Sequence, residues 1–398
     1  MRVLTVLTPI LLLPLASCGT RDASGAARWS GTIDTLPSGR VAVTNPATGI
    51  WDSASAWRVE EDLRIGTMDG SGPDLFGRIT DLAVDRAGRV WVFEGQAQEL
   101  RVFDATGRHV RTIGRKGGGP GEFSQVMGMA WGPGGRLWVV DPQNNRVSII
   151  DTSGAFVRSH TIAGGFIIMP WPGGFDQAGR FYNVVPVRSE EGFRTALVRY
   201  DTAMTPIDTV QRPRYEGPQE YFELRSDGGF MRAGVPFSSG LSAQLHPDAK
   251  FWALSTGDYR LLEISLTGDT LRTITRAFEP LPVTEADIDA AIEDMEWFTR
   301  QGGKVDRSKF PGTKPPVTSF AVDDVGNIWV ACQDDDAPGD RVDVFDGPGR
   351  YLGRIRLPFE TQWGRLPIFR DEVLYTVTRD ALEVPYVVRA RIVKPERP

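Results

Sequence analysis

The sequence predicts an all-β fold: six four-stranded antiparallel blades closed into a ring, with seven blades as the alternative. Three observations carry this. Three stretches of the chain align with one another over about forty residues each, 79 to 114, 126 to 162 and 317 to 357. Such a period marks an array of one supersecondary unit. Within each stretch, short alternating runs rich in Val, Ile, Phe and Trp are separated by Gly turns. The composition agrees, because 44 Gly, 28 Pro and 11 Trp accompany few long helix-forming stretches. That balance favours strands and tight turns.

Each unit can be justified strand by strand. An apolar first strand ends at a turn containing Gly88, Gly135 or Gly326, and the second strand reads RVWVF, RLWVV or NIWVA. Alternation with β-branched and aromatic residues across a two-sided turn is a hairpin signal. A polar loop leads to a third strand, LRVFD, VSIID or VDVFD, and a second turn at Gly107, Gly154 or Gly349 opens a fourth. Four antiparallel strands in this length form a propeller blade. Weaker copies turn at Gly179, near Asp248 and at Gly268, and the segment from Arg365 onward supplies about three strands. The last blade is therefore short of a strand. The strand-like segments 31 to 46 and 56 to 66 are expected to complete it and close the ring, or to form a seventh blade of their own. Closure removes the exposed edges that would template aggregation.

One segment breaks the rhythm, an insertion over 281–316. Thr284 and Asp287 have capping-box spacing, and Ile288, Ile292, Met295 and Phe298 fall on one helical face. A helix over about 284–301 is expected, ending at Gly302 and Gly303. Its apolar face either packs on the propeller rim, or the helix caps the central channel or presents Trp297 to a ligand.

The N-terminus reads as an export signal. Arg2 precedes the run VLTVLTPILLLPLAS and then Cys18. The run is too short and too broken by proline to span a bilayer comfortably. Leu15, Ala16, Ser17 and Cys18 resemble the bacterial lipobox, which implies that residues 1–17 are a signal peptide and that Cys18 is acylated. Residues 18–28 then form a flexible tether, and 29–398 a single propeller domain. The implied location is the cell envelope, anchored by lipid to the membrane, at the outer membrane facing the periplasm or at the cell surface. Cys332 is the only other cysteine. With Cys18 acylated, no intramolecular disulfide can form.

The chain carries a formal net charge of −6. Nucleic-acid binding needs clustered Lys and Arg to neutralise phosphates, so nucleic acid is excluded as the main partner. The loop GRKGGGPGEF (114 to 123) invites comparison with a phosphate cradle, but no Lys-Ser or Lys-Thr follows its glycines and the next element is a strand. The expected role is an interblade hinge, with Gly121 at positive φ and Phe123 plugging the gap between blades. His109, His160 and His246 share no metal-ligand spacing. No serine sits on a G-x-S-x-G elbow.

Together with Asp141, Asn144, Arg146 and Val147, the stretch from Gly114 to Asp151 resembles an NHL repeat. The whole chain is similar to the six-bladed-propeller lipoproteins of bacteria. The resemblance implies the fold and leaves the biochemical role open. Two functions follow as expectations. The first is a binding or scaffold module for a protein, peptide or carbohydrate, with no catalytic residues. The second is a calcium-type metal-dependent hydrolase or lactonase, as in sugar-lactone-hydrolysing propellers, with Glu94, Asp141, Asn183 and Asp334 converging on a metal in the channel. The four fall just after expected strands of different blades. The run QDDDAPGD (333 to 340) misses the EF-hand spacing.

Overall fold

In the computed structural model, which describes residues 29–189, 192–226, 229–333, 339–364 and 367–395, six sheets of four or more strands follow one another along the chain. The first blade runs from Ile79–Val84 to His109–Ile113, the second from Gly128–Gly132 to Phe156–Thr161 and the third from Gly174–Phe175 to Pro206–Val210. The fourth begins at Leu241–His246, the fifth at Val317–Val322 and the sixth at Ile368–Arg370. Buried apolar clusters fill the gaps between consecutive blades all the way round, from Trp91 and Phe93 against Met129 and Val139 to Tyr375 and Val377 against Ile79 and Val92. Burial of these faces, at about 25 cal/mol per Å² of apolar surface, is what holds the ring.

The turn between the first two strands of a blade is built by an aspartate. Asp85 Oδ1 accepts the backbone N–H groups of Ala87 and Arg89, and Oδ2 accepts the indole N–H of Trp91 at 3.0 Å. Asp323 repeats this with Val325, Asn327 and Trp329, and Asp176 with Arg180 and the hydroxyl of Tyr182. Gly88 and Gly326, at φ of 74° and 90°, allow the chain to reverse without a Cβ clash. Burial, reinforced by Asp176, pushes the Tyr182 phenol up to about 12.

The ring closes as a hybrid blade. Arg58–Ile65 pairs antiparallel with Pro385–Val393, so the N-terminal part of the chain supplies the outer strand of the sixth sheet. The segment before it departs from expectation. Thr32–Thr35 and Val41–Asn45 add two strands to the fourth blade, Val41–Asn45 lying parallel to Thr270–Arg276. Among the described residues there is no seventh blade. The physical reason lies in the short strands and in Asn45, which bridges blades. Its Oδ1 accepts the indole N–H of Trp29 and the backbone N–H of Tyr351, while Nδ2 donates to Thr275 O and Gly349 O. Trp51 N–H then donates to Leu352 O, and Trp57 packs 5.9 Å from the Trp329 ring. Residues 29 to 65 thus strap the fourth, fifth and sixth blades together.

The insertion is helical as expected but broken. Helix α1 spans Glu285–Asp294 and α2 spans Glu296–Thr299, and Thr284 and Asp287 form the reciprocal capping box. The apolar face packs on a hairpin, Tyr221–Ser226 with Gly229–Gly234, where Met295 and Phe298 meet Phe222, Ala233 and Val235. Trp297 is turned outward, 51% exposed, its ring edge-on to Phe298.

Candidate functional site

The glycine loop has the opposite polarity from an anion cradle. The Arg146 guanidinium donates to the carbonyls of Gly118, Gly119 and Glu122, and Asn144 Nδ2 donates to Gly117 O. The loop therefore turns carbonyl oxygens, not N–H groups, toward its charged partner. Gly121 lies at φ 74°. Phe123 is fully buried, its ring 5.3 Å from Phe93 of the first blade. Arg115 pairs with Glu122 at 2.8 Å.

The candidate metal ligands do not assemble. Glu94 is 1% exposed; its Oε1 accepts the N–H groups of Gly77 and Arg78, and Oε2 that of Ala97. Asp141 is fully buried and accepts from the backbone of Ser124, Gln125 and Asn144 as well as from the Asn144 amide. The two carboxylates hold equivalent positions in the first and second blades, each clamping the crossover that enters its blade. Asn183 is not after a strand: Phe181–Ser189 runs on through Val184 and Val185, which leaves Asn183 third in the strand, accepting the Trp171 indole N–H at 2.9 Å. Asp334 lies outside the described residues, as does Cys18. Among the described residues no group of three or more His, Cys, Asp or Glu side chains could hold a metal ion. Glu94→Gln places an amide where three N–H groups need acceptors. It should cost about 1–3 kcal/mol in urea denaturation, the penalty of an unsatisfied buried donor, with no change in any response to calcium.

The histidines are likewise apart. His109 bonds Thr112, His160 stacks on Trp138 with its ring planes 17° apart, and His246 Nδ1 meets Asp248 at 2.6 Å. Burial, then Arg158, holds the His160 imidazole below its ordinary value.

Of the concavities among the described residues, one lies at the channel and one between the third and fourth blades. The first is a cavity of about 290 Å³ at the channel, lined by Met127, Met129, Trp131, Met169 and Trp171 together with Asp81. Asp81 is committed to the backbone N–H groups of Leu82 and Met129, the latter tying the inner strands of the first two blades at 2.6 Å. Side-chain and backbone bonds from Gln244 to Phe320 O and from Gln177 N–H to Pro247 O link other blades near the axis.

The second is a cleft of about 810 Å³ between the third and fourth blades. Its origin is a double departure from the repeat. Pro206–Val210 pairs only with Leu197 to Tyr200, so the outer strand of the third blade is short. The chain then leaves as an irregular segment through Gln211 to Gly217, which lines one wall. The other wall is the fourth blade, with Ser239, Leu262, Ile264 and the loop Ser255 to Arg260, and Arg40 reaches in from the turn between the two added strands. Arg260 is neutralised by Asp258 at 3.0 Å. Among the described residues no carboxylate lies within ion-pair distance of Arg40, Arg212 or Arg214, and Glu216 is the only other acid in the lining. Burial, and next the like charge of Arg214, lowers the Arg212 guanidinium from its ordinary value. Nothing in the strand periodicity marks this cleft. The signal available beforehand was the stretch QRPRYEG, which carries two arginines where the next blade was due.

The six consecutive sheets closed by a hybrid blade make the fold a six-bladed β-propeller. The family model described as DUF5128, 6-bladed beta-propeller, matches residues 73–157, which hold the first blade and the second as far as the start of its last strand. No curated protein matches the chain. Among solved structures, an exported protein of Bacteroides fragilis shares 12% identity, covering 89% of this chain and 100% of that one, with a TM-score of 0.49. A virginiamycin B lyase of Staphylococcus aureus shares 10% over 85% of this chain and 100% of its own, TM-score 0.44. A gluconolactonase of Xanthomonas campestris shares 13% over 94% and 100%, TM-score 0.42. Likeness at this level adds nothing to the reading of the site.

Proposed function

We propose that this chain is an exported, lipid-anchored propeller of NHL type that binds a ligand without transforming it, and that the ligand sits between the third and fourth blades. The observation that carries the reading is the cleft of about 810 Å³ with three arginines lacking a counter-ion. A fold of this kind hosts enzymes and scaffolds alike, so the argument rests on the site. Arg212 is half-buried while Arg40 and Arg214 are exposed, so the cleft is edged by three guanidinium groups whose paired N–H donors stand open to an entering anion. Against the alternative, a calcium-type hydrolase or lactonase, stand Glu94 and Asp141, whose oxygens are already occupied by backbone N–H groups.

Ser239→Trp fills the cleft mouth. On an array of glycans and peptides, ligands retained by the wild type should be lost by this variant while its melting temperature stays within a few degrees. Identical retention by both proteins would remove the cleft from the proposal. The anchor is tested separately, since Cys18→Ser should move the protein from the membrane fraction to the soluble one, a single acylation site being the whole of the attachment. A variant that stays with the membrane overturns the lipobox reading.

A further inference from the structure

We infer that the cleft between the third and fourth blades takes an acidic oligosaccharide, its carboxylates held by Arg212, Arg214 and Arg40; the inference rests on the cleft being the binding site proposed above. Four observations lead there. The first is charge. Three arginines without a described counter-ion share a lining that contains one unpaired acid, Glu216. This surplus sits on a chain whose net charge is −6, so it is local and not a reflection of overall composition. Guanidinium is planar and presents paired N–H donors that match a carboxylate, which makes arginine suited to this anion.

The second is size. About 810 Å³ is far more than one small anion fills and lies within the range of pockets that enclose ligands of several hundred daltons. The third is spacing. Arg212 and Arg214 are two residues apart on an irregular segment and Arg40 comes from a different part of the chain, so the cations are distributed along the cleft and suit a ligand with repeated charges. The fourth is the remaining chemistry of the walls. Ser239, Gln211 and Thr273 bring hydroxyl and amide groups, and Tyr215 an aromatic ring with a polar tip. Hydroxyl-rich rings with an apolar face find partners in such a mixture.

A peptide occupant is less well served. Leu262 and Ile264 belong to Arg260–Ser265, which is paired on both sides, and Val41–Asn45 covers the outer edge of the next strand. Neither Arg260–Ser265 nor Thr270–Arg276 therefore offers a free edge to which an extended peptide could add. The depressed Arg212 guanidinium is consistent with this assignment, because a bound carboxylate would offset the repulsion from Arg214.

The test is isothermal titration of the full chain with trimers of galacturonate, mannuronate and guluronate, with their methyl esters, and with pentaglutamate. At least one free-acid trimer should bind, its methyl ester at least tenfold more weakly. Arg212→Gln and Arg214→Gln should each weaken binding tenfold or more, and Arg212→Gln should leave the melting temperature unchanged or higher, since it removes a cation without a partner. A substitution that abolishes binding by unfolding would lower it. An ester that binds as well as its acid, with Ser239→Trp abolishing both, overturns the acidic ligand and leaves the cleft in place. Uronate binding untouched by Ser239→Trp overturns the cleft itself. If no trimer binds, or pentaglutamate binds more tightly than all of them, the sugar assignment is wrong.

Discussion

Replacing Asp343 by Ala should destabilise the propeller by about 3–5 kcal/mol, the cost of leaving a buried charge partner alone. Asp343 is fully buried between the fourth and fifth blades. Its Oδ1 accepts from Arg354 at 2.7 Å and the Tyr351 hydroxyl at 2.8 Å, and its Oδ2 from the Tyr259 hydroxyl at 2.6 Å, with Arg276 at 3.2 Å. Burial alone would raise this carboxyl, but Arg354 and Arg276 outweigh it and hold it below its ordinary range. A folded-state value below the unfolded one contributes stability that is present above the unfolded value, about 3.9, and is lost as pH falls through the folded one. Urea titrations of Asp343→Asn should therefore show a lower plateau at neutral pH and a flatter decline below about pH 4. A wild-type-like acid limb in the variant would show that the carboxylate does not act this way.

Beginning the chain at residue 67 should abolish the soluble monomer, whereas beginning it at residue 47 should leave a monomer that melts at a lower temperature. The first truncation removes Arg58–Ile65 and exposes the edge of Pro385–Val393, together with the apolar surface that Val59 and Ile65 cover. An open, nine-residue hydrophobic edge is a template for association. The second removes the two strands added to the fourth blade, with buried Val43 and the side-chain hydrogen bonds of Asn45, and leaves Arg58–Ile65 in place to close the ring. Size-exclusion chromatography distinguishes the outcomes. Equal behaviour of the two truncations would mean that the hybrid sixth blade is not what keeps the ring shut.

Much of the ring was legible because its physics repeats. The hairpins around Gly88 and Gly326, the third-strand runs, Phe123 as an interblade plug and the capping box at Thr284 are all local patterns, and the structure contains each of them. What was misread depended on partners distant in the chain. Segment 31–46 has ordinary strand chemistry, and only its parallel pairing with Thr270–Arg276, with Asn45 bonded to Thr275 230 positions away, assigns it to the fourth blade. Asn183 failed for a different reason, since the second strand, which is five to seven residues long in the other blades, here runs nine residues to Ser189. Glu94 and Asp141 showed the right residue type in the right register, yet the same acidic position that could bind a cation can equally collect backbone N–H groups. The cleft was invisible because it arises where the repeat lapses, and periodicity reports only where it holds.

The N-terminal strap also sets a timetable for folding. Glu60 meets Arg391 across 331 positions of sequence, and Asn45 meets Gly349 across 304. Contacts of that separation carry a high chain-closure cost and slow the search for the native state. During synthesis the strap emerges ahead of all six blades; Val41–Asn45 can pair once Thr270–Arg276 has followed it, but Arg58–Ile65 has no strand partner until Pro385–Val393 has been made. Ring closure thus waits for Pro385–Val393, and a polypeptide halted before the sixth blade would hold five blades with no means of completing the circle.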